Sequence, residues 1–211
     1  MELTNLADIR ALLARHDFRF SKSMGQNFLT AAWVPADIAD ASGADAHTGV
    51  LEVGPGIGCL TEQLAQRAAK VVSVELDERL RPVLAETLAA YPNVEIVFGD
   101  VLALDLRRFA AEHFPGLRPV VCANLPYNVT TPLITAFLTA GCFDTVTVMI
   151  QREAAHRLCA RPGTADYGLL TVLTAWYAEL ELLFDVQPHC FVPAPKVTST
   201  VVRLRMRSAP P

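Results

Sequence analysis

Long hydrophobic runs are absent from this chain of 211 residues, and so is the pattern of a secretory signal. No apolar stretch reaches the ~18 residues that a membrane-spanning helix requires, although the mean hydropathy of +0.30 is high. Residues 1–9 have neither a basic start nor an apolar segment. We therefore expect a cytoplasmic protein without a membrane partner, and the length predicts one domain with a sizeable core.

Cysteine is scarce and has none of the spacings that bind zinc. The five cysteines are odd in number and scattered, at Cys59, Cys122, Cys142, Cys159 and Cys190. They are typical of small core residues in a reducing compartment and not of a disulfide framework. The five histidines include no metal-ligand pair, so no metal site is predicted.

Positive charge is in deficit, because 18 Lys and Arg face 22 Asp and Glu, which gives a net charge of −4. As an average, this charge disfavours a nucleic-acid partner. The basic residues are nevertheless concentrated in the segments 10–22, 152–161 and 196–207. If the fold brings these segments together, they would form a phosphate-binding surface. The alternative is three ordinary solvated faces, which charge clusters by themselves favour.

The most informative feature that is present is residues 124–127, Asn-Leu-Pro-Tyr, directly after the apolar run 119–123. An apolar run that ends in Asn-x-Pro is typical of a buried parallel strand stopping at the carboxyl edge of a sheet, where α/β proteins bind ligands. Asn124 offers a carboxamide, Pro126 removes a backbone donor, and Tyr127 presents a flat aromatic face. The alternative is a strand and turn with a packing tyrosine.

Together these groups would form a receptor for a planar base that carries an exocyclic amine. The ring can stack on Tyr127 while the Asn124 oxygen and a freed carbonyl accept the amine hydrogens. Acceptance in non-planar directions takes the nitrogen lone pair out of conjugation and directs it at an electrophile. No Ser/His/Asp or Cys/His arrangement accompanies the motif, so the pattern predicts direct group transfer without a covalent intermediate.

A glycine-rich loop follows a second apolar strand, in residues 50–58, Val-Leu-Glu-Val-Gly-Pro-Gly-Ile-Gly. Glycines allow a ligand to approach the backbone closely, and the helix predicted next offers free N–H groups. The loop has the spacing Gly54-x-Gly56-x-Gly58, whereas a nicotinamide-binding fingerprint would have its third glycine at Cys59. A nicotinamide oxidoreductase is therefore an alternative that this spacing disfavours.

Acidic residues stand at or near the ends of three predicted strands, at Glu52, Glu75 and Asp100. Glu75 lies 21 positions after Gly54, where a doubly wound fold presents an acid to ribose hydroxyls. Asp100, after Gly99, could accept a hydrogen bond from an adenine amine. Each feature alone is common, but three successive strands that end in the glycine-rich loop, in Glu75 and in Gly99-Asp100 together indicate a cofactor that contains adenosine.

Strands and helices alternate along the chain, which predicts a parallel, doubly wound α/β sheet. The predicted strands are near 50–54, 71–75, 94–98, 119–123, 144–150, 180–187 and 199–206. The predicted helices are near 6–14, 31–41, 59–69, 78–90, 103–112, 131–139, 152–160 and 168–178. The last two strands have no helix between them, so at least one of them should be antiparallel.

These motifs, in this order, resemble the S-adenosylmethionine-dependent methyltransferases, and among them the ribosomal RNA adenine N(6)-dimethyltransferases. The resemblance extends over nearly the whole chain and includes the further segments 20–29, 149–155, 166–168 and 191–197. Residues 151–153 and 191–196 favour the small-subunit enzymes over the macrolide-resistance-type enzymes that methylate 23S ribosomal RNA. The resemblance implies a Rossmann-like, seven-stranded methyltransferase fold whose last strand is antiparallel, with S-adenosyl-L-methionine as cofactor.

The resemblance also implies roles for individual residues. Those that would hold the target adenine are Asn124, Leu125, Pro126, Tyr127 and Phe191. Those that would bind S-adenosyl-L-methionine are Gln26, Asn27, Leu29, Glu52, Gly54, Gly56, Gly58, Glu75, Leu76, Asp100, Val101 and Asn124. The expected activity is the methylation, and dimethylation, of adenine exocyclic amines in small-subunit (16S) ribosomal RNA during ribosome biogenesis.

The domain organisation is expected to comprise a basic N-terminal arm or lid, residues 1–30, and a catalytic domain, residues 31–211. For residues 25–29 the alternative is a loop that covers the core. Members of the family usually continue into a helical C-terminal domain that helps to bind RNA, and we expect this domain to be absent here. The expected partner is ribosomal RNA or the precursor of the small subunit, bound by a monomer. A non-catalytic RNA-binding assembly factor is a further alternative, which the intact polar motifs disfavour.

Overall fold

Seven strands form the central sheet of the computed structural model, which describes residues 1–18 and 26–209. The strands of the protein are β1 (Phe28–Leu29), β2 (Thr48–Val53), β3 (Lys70–Glu75), β4 (Val94–Phe98), β5 (Arg118–Asn124), β6 (Thr145–Gln151), β7 (Ala178–Val186), β8 (Phe191–Val192) and β9 (Ser199–Met206). The helices are α1 (Leu6–Arg15), α2 (Trp33–Ala41), α3 (Cys59–Ala65), α4 (Arg81–Thr87), α5 (Leu106–His113), α6 (Thr130–Ala140), α7 (Arg152–Leu158) and α8 (Leu169–Tyr177).

The strand order of the sheet is β4-β3-β2-β5-β6-β9-β7. Neighbouring strands from β4 to β6 are parallel, whereas β9 is antiparallel to both β6 and β7. The prediction of a parallel sheet whose last strand is antiparallel is confirmed. The chain winds outward from β2 to β4 and then returns to β5, so the order reverses between β2 and β5. Open α/β sheets bind their ligands at such a switch point.

Hydrophobic side chains on the two faces of the sheet form two cores. Val50 belongs to the core that α1, α2, α3 and α4 cover, and its neighbour Leu51 belongs to the core under α5, α6 and α7. Because consecutive strand residues point to opposite faces, a sheet covered on both sides needs apolar residues at every position. This explains why the parallel strands appear in the sequence as continuous apolar runs.

Two helices begin later in the chain than the sequence predicts. The helix predicted over 78–90 is divided into a 3-10 turn, Glu78–Leu80, and α4, which has Pro82 in its first turn. The helix predicted over 103–112 begins at Leu106, because Asp105 caps it by accepting the N–H of Arg108 at 3.0 Å.

Residues 28–29 have a strand partner that the sequence did not reveal. Phe28 pairs with Val192 and Leu29 with Phe191, in a short antiparallel ladder of β1 and β8 separate from the central sheet. Both Phe28 and Leu29 are buried. The segment therefore covers the core, as one alternative proposed, and it also ties the N-terminal part of the chain to β8.

Helix α1 shares its hydrophobic core with the central sheet. Its apolar residues Ile9, Leu12 and Leu13 are buried in the same cluster as Val50. Described residues on both sides of residue 30 belong to the same hydrophobic core. The predicted boundary between a functional arm and a catalytic domain at this position therefore stays a prediction. Residues 19–25, the central part of the predicted arm or lid, lie outside the described residues, as do residues 210–211. Within the described parts of the chain, no helix is long and apolar enough to span a membrane.

Candidate active site

A pocket of about 300 Å³ lies where the carboxyl ends of β2, β3, β4 and β5 meet. All of the residues predicted to hold the target base line it: Asn124, Leu125, Pro126, Tyr127 and Phe191. The predicted cofactor residues other than Gly58 line it too: Gln26, Asn27, Leu29, Glu52, Gly54, Gly56, Glu75, Leu76, Asp100, Val101 and Asn124. Motifs that are far apart in the sequence therefore meet at the switch point of the sheet.

Positive φ angles shape the glycine-rich loop between β2 and α3, with +67° at Gly54, +60° at Gly56 and +96° at Gly58. A Cβ at Gly56 would lie 3.2 Å from Cε1 of Phe28, so glycine there permits both the loop conformation and the close approach of β1. Gly58 is the N-cap of α3, and a Cβ there would lie 3.0 Å from Cδ2 of Leu88. Gly58 thus starts a helix and does not line the pocket, and its contact with a cofactor stays a prediction.

Glu52 contributes a buried carboxyl group to the pocket wall. Its Oε2 accepts hydrogen bonds from Thr61 Oγ1 at 2.7 Å and from Ser73 Oγ at 2.6 Å. Burial raises the pKa of Glu52 to about 7, and these two hydrogen bonds oppose the rise only in part. A group poised in this way changes charge near neutral pH and responds to any cation that enters the pocket.

Glu75, at the end of β3, is a second buried carboxyl group in the pocket wall. Its Oε1 accepts the backbone N–H of Asp77 at 2.8 Å. Burial raises the pKa of Glu75, while hydrogen bonds from the backbone N–H groups of Asp77 and Gly56 act in the opposite direction. These N–H groups hold the carboxylate in place, and its remaining lone pairs are available to ligand hydroxyls.

Asp77 links the N-terminal part of the chain to this edge of the sheet. Its Oδ2 accepts a hydrogen bond from Gln26 Nε2 at 2.8 Å, and its two oxygens accept from the guanidinium of Arg79 at 2.8 and 2.6 Å. The bonds from Arg79 keep the pKa of Asp77 below its ordinary value. The guanidinium of Arg79 also lies over the ring of Phe18, 5.2 Å from its centroid. Gln26 is therefore fastened at the pocket wall.

Apolar side chains form the outer part of the pocket beside the predicted cofactor residues Glu75 and Asp100. Leu76 and Leu102 are exposed, and both line the pocket together with Val101. Asp100 fixes the turn that carries Leu102, because its Oδ1 accepts the N–H of Leu102 at 2.9 Å. Apolar side chains beside a few placed polar groups are typical of a site for a flat organic ligand.

Asn124 is the last residue of β5 and lies beside Met149 of β6. Leu125 extends the ladder by donating its N–H to the Met149 carbonyl at 3.1 Å, and Pro126 then turns the chain. Within the described residues, the side chain of Asn124 and the carbonyl of Leu125 make no hydrogen bond. Both are therefore acceptors that are available to a ligand, which is the arrangement that the motif predicts.

Two aromatic residues on the same wall are fixed by other parts of the chain. The hydroxyls of Tyr127 and Ser199 are 2.6 Å apart, and burial raises the pKa of the Tyr127 phenol. Phe191 is buried and is held by the backbone ladder with Leu29. The sequence analysis identified both aromatic residues but missed Ser199.

The pocket also contains residues that the sequence analysis did not select. They are Phe28, Val53, Pro55, Ile57, Cys59, Leu60, Val74, Leu80, Gly99, Leu102, Asn128, Val129 and Leu133. Most of them are immediate sequence neighbours of the motifs, so a wider window around each motif would have found them. Leu80 and Leu133 belong to the turn before α4 and to α6, and no sequence signal distinguishes them from ordinary core residues.

Other reactive groups give the pocket little independent chemistry. Burial raises the pKa of the Cys59 thiol to about 12, so this thiol stays protonated and is a poor nucleophile. Throughout the parts of the chain that the structure describes, no three His, Cys, Asp or Glu residues are grouped so as to hold a metal ion. The chemistry of the pocket therefore depends on acceptors, carboxylates and aromatic faces.

The basic segment 203–207 lies away from the pocket. In β9, Ser199 lies beside Gln151 at the pocket edge, whereas Arg205 lies beside Thr145 at the opposite edge. Arg203 and Arg205 pair with Glu181, and Arg207 pairs with Glu179. Because β9 is antiparallel, these arginines lie away from the ligand edge. They form ion pairs with glutamates of the neighbouring strand β7. The convergence that would have made them phosphate contacts does not occur.

Basic residues nearer the pocket are Arg152, directly after β6, and Lys196, in the loop before β9. The N–H of Arg152 donates to the Thr198 carbonyl at 3.0 Å, which places these two segments side by side. Arg152 also pairs with Asp185 at 3.7 Å. In the N-terminal segment Arg15 pairs with Glu86, while Arg19 and Lys22 lie outside the described residues.

Comparison with known families and relatives agrees with this geometry. The family model for ribosomal RNA adenine dimethylases matches residues 17–211. The ribosomal RNA small subunit methyltransferase A of Geobacillus thermodenitrificans is 50% identical over 204 residues, which cover 96% of this chain and 70% of the relative. The protein with the same name from Ligilactobacillus salivarius is 45% identical over 212 residues, which cover 100% of this chain and 72% of the relative.

Solved structures of similar proteins have the same architecture. The 23S rRNA methyltransferase ErmE has a TM-score of 0.72 at 35% identity, and the match covers 87% of this chain and 71% of ErmE. A dimethyladenosine transferase from Plasmodium falciparum has a TM-score of 0.74 at 28% identity, with 85% of this chain and 63% of that chain covered. With the family match over residues 17–211 and half of the aligned positions identical to a curated relative, the chain belongs to the ribosomal RNA adenine dimethylase family.

Proposed function

We propose that the chain transfers methyl groups from S-adenosyl-L-methionine to the exocyclic amine of adenine in small-subunit ribosomal RNA, with dimethylation as the complete reaction. The observation that carries the proposal is a pair of acceptors without a partner among the described residues, the Asn124 carboxamide and the Leu125 carbonyl, on the pocket wall that also carries Tyr127. Two acceptors near an aromatic plane match the two hydrogens of an amine on a planar base. Neither a nicotinamide site nor a passive RNA contact requires them.

The opposite side of the pocket fits S-adenosyl-L-methionine. Glu75 is held at the end of β3 in a position suited to accept ribose hydroxyls, and Asp100 is suited to accept a hydrogen of the adenine amine. Leu76, Val101 and Leu102 offer apolar surface to the adenine ring. This combination of acids and apolar surface suits an adenosine group.

The methionine part would lie beside the glycine-rich loop and Glu52. The positive φ of Gly56 and its approach to Phe28 keep this loop free of side chains that would occupy the pocket. Glu52 in its ionised form would attract the positive charges of S-adenosyl-L-methionine. A cation near Glu52 favours that ionised form, so binding of the cofactor should lower the raised pKa of Glu52.

The chemistry expected from the chain is orientation of the target amine. When bound, S-adenosyl-L-methionine supplies a methyl group on a positively charged sulfur, which requires no enzyme nucleophile. The Asn124 and Leu125 oxygens accept the amine hydrogens and direct the nitrogen lone pair, while Tyr127 holds the plane of the base. Positioning of this kind can supply about 7–11 kcal/mol. The protonated thiol of Cys59 is consistent with transfer in one step.

The substrate proposed is small-subunit ribosomal RNA, free or in a precursor particle, on which a monomer acts in the cytoplasm. Identity of 50% to a small subunit methyltransferase supports this target more strongly than 35% identity to ErmE supports 23S ribosomal RNA. Arg152 and Lys196 lie in adjacent segments near the pocket and are suited to contact phosphates of the RNA.

The test is a methyl-transfer assay with isotope-labelled S-adenosyl-L-methionine and three substrates: free small-subunit RNA, small-subunit precursor particles and large-subunit RNA. Mass spectrometry of the nucleosides should find N6-methyladenosine and then N6,N6-dimethyladenosine in small-subunit RNA. Label confined to large-subunit RNA would favour the resistance-type alternative. Cofactor binding without any methylated adenine would favour the assembly factor, and calorimetric binding of NAD in place of S-adenosyl-L-methionine would exclude methyl transfer.

A further inference from the structure

We propose that Ser199 is a positioning residue that fixes the ring of Tyr127 for methyl transfer; this inference rests on the proposed function. The Tyr127 hydroxyl lies 2.6 Å from Oγ of Ser199, a normal distance for a hydrogen bond between hydroxyls. Ser199 itself does not line the pocket and is fully buried. Its influence on the target base would therefore act through the tyrosine.

The backbone around Ser199 makes its hydroxyl a fixed point. Ser199 is the first residue of β9 and pairs with Gln151 of β6 on one side and with Val186 of β7 on the other. A residue with strand partners on both sides has little backbone freedom, and its burial restricts the side chain further. A hydrogen bond to the Ser199 hydroxyl therefore restricts the movement of the Tyr127 side chain.

Tyr127 has more conformational freedom than Ser199. It lies in a short 3-10 turn, Tyr127–Val129, and its side chain is only partly buried. The turn begins three positions after Asn124, so any tilt of the tyrosine ring changes the plane of a stacked base relative to the Asn124 acceptor. A tyrosine phenol is protonated at neutral pH, and burial raises the pKa of Tyr127 further. Its hydroxyl can therefore donate to or accept from Ser199 throughout the working range.

One short segment of chain would then orient two of the aromatic residues of the pocket, Tyr127 and Phe191. Residues 191–199 begin with Phe191, which the ladder to Leu29 holds, and end with Ser199, which holds Tyr127. The two contacts hold side chains that line the same pocket. Loss of the Ser199 hydroxyl should disturb only the tyrosine, and it should leave the cofactor side, formed by β2, β3 and β4, unchanged.

Kinetics distinguish a positioning role of Ser199 from a hydrogen bond that only stabilises the fold. If Ser199 orients the tyrosine, Ser199→Ala should lower kcat, while KM for RNA and Kd for S-adenosyl-L-methionine change little, because reactive geometry is lost and binding is kept. A purely structural hydroxyl pair would instead lower the melting temperature and leave kcat unchanged.

The experiment is a double-mutant cycle with Ser199→Ala, Tyr127→Phe and the double variant, each assayed with small-subunit RNA. Each single variant should lower kcat by about 3- to 10-fold, the value of one hydrogen bond. The double variant should be no slower than the slower single one, because both remove the same bond. Additive losses, or an unchanged kcat in Ser199→Ala, would overturn the proposal.

Thr200→Val provides the matched control. Thr200 is the next residue of β9, is buried as Ser199 is, and donates from Oγ1 to Oδ1 of Asp185 at the same distance of 2.6 Å. By the alternation of a strand it points to the opposite face from Ser199. Its loss should lower stability at least as much as that of Ser199, because the bond that it removes goes to a charged acceptor, and should leave kcat within twofold of the unaltered chain.

A second measurement tests the orientation without relying on methyl transfer. The chain contains four tyrosines, so 3-fluorotyrosine labelling should give four ¹⁹F resonances, and Tyr127→Phe assigns the one of interest. That resonance should shift in Ser199→Ala and stay in place in Thr200→Val. An unmoved resonance would refute the role of Ser199 even if the methyl-transfer assay had itself failed. If the resonance shifted but the chain had no methyl-transfer activity, the contact between Ser199 and Tyr127 would be confirmed and the proposed function would be wrong.

Discussion

Acidic side chains on the cofactor side of the pocket have partners from the protein, whereas the acceptors on the target-base side have none among the described residues. Glu52 accepts two hydrogen bonds from hydroxyl groups, and Glu75 accepts the N–H of Asp77. The Asn124 carboxamide and the Leu125 carbonyl accept no hydrogen bond within residues 1–18 and 26–209.

The difference corresponds to what each side of the pocket has to do. A buried carboxylate needs donors because an unpaired buried charge is costly. Acceptors meant for an incoming amine must instead stay open until the base arrives, and surrounding structure must hold them so that no reorganisation is needed then. On the proposed function, the pocket thus joins a prearranged anchor for a cofactor to an open receptor for an amine.

The largest effect is expected from removing the open acceptor. Asn124→Ala should lower kcat by about 10²- to 10³-fold, similar to the loss of one placed hydrogen-bonding group in other active sites. Kd for S-adenosyl-L-methionine should change by less than about threefold, because the main cofactor contacts lie on the other side. Single-turnover methyl transfer and calorimetric titration measure the two effects separately.

Asn128→Ala is the matched comparison for this loss. Asn128 is the same residue type, lies four positions later, and is exposed at the rim of the pocket. We expect it to lower kcat by no more than a few-fold. Equal losses in the two variants would mean that the open acceptors have no special function, and the contrast between the two sides would disappear.

Glu52 allows a test of the anchored side through pH. Its pKa rises from an ordinary 4.5 when unfolded to about 7 when folded, so the fold favours the protonated form. The resulting stabilisation is complete below pH 4.5 and is lost as pH rises to about 7. The loss amounts to at most about 3 kcal/mol. Glu52→Gln should therefore gain stability relative to the unaltered chain as pH increases through this range.

Denaturant unfolding of both proteins at several pH values measures this difference. Glu62→Gln is a suitable control, since Glu62 lies on the adjacent helix α3 and accepts a hydrogen bond from Tyr91 at 2.7 Å. A constant difference in the free energy of unfolding between Glu52→Gln and the unaltered chain would show that donors compensate the carboxylate fully. The hydrogen bonds to Glu52 would then offset the whole effect of burial on its pKa.

Most of the fold could be predicted because the sheet is buried on both faces. Strand β4 and strand β9 begin and end where the apolar runs predict. The ladder of Phe28–Leu29 with Phe191–Val192 could not be predicted, because two residues per strand carry no periodicity and the pairing depends on the tertiary fold. The position of the β9 arginines stayed open in the sequence, because charge clusters alone do not show whether three distant segments converge; the antiparallel course of β9 carries Arg205 to the edge opposite the pocket.

The site was predictable where one motif carries its own chemistry. Residues 124–127 and the acids at strand ends fall into this class. Ser199 does not, because it is 72 positions from Tyr127 and a serine in a strand has no distinctive pattern. At Gly58 the φ of +96° at the start of α3 requires glycine whether or not a ligand is bound there, so the ligand contact that the spacing suggests stays a prediction. Sequence spacing identifies a special backbone position without stating its use.

A smaller effect is expected from removal of the cofactor acid. Each hydrogen bond to a charged acceptor contributes about 1.5–3 kcal/mol, so Glu75→Ala should weaken S-adenosyl-L-methionine binding by about 10- to 100-fold. Glu75→Gln keeps the size and an acceptor oxygen and should lose less. Calorimetric titration gives both constants. If Glu75→Ala bound the cofactor normally, Glu75 would be only a loop anchor for Asp77, and the cofactor side would have another ribose contact.

The smallest effect concerns RNA and separates the two edges of the sheet. Lys196 lies in the loop that leads to Ser199 at the pocket edge, whereas Arg205 lies at the opposite edge and pairs with Glu181. Lys196→Ala should reduce RNA affinity a few-fold and lower the slope of log affinity against log salt by about 1, because one phosphate contact releases about one counterion. Arg205→Ala should change neither quantity. Fluorescence anisotropy at several salt concentrations distinguishes these outcomes. A larger loss from Arg205→Ala than from Lys196→Ala would place the RNA on the far edge, and the open acceptors at Asn124 would then be too distant to meet the target base of the same RNA.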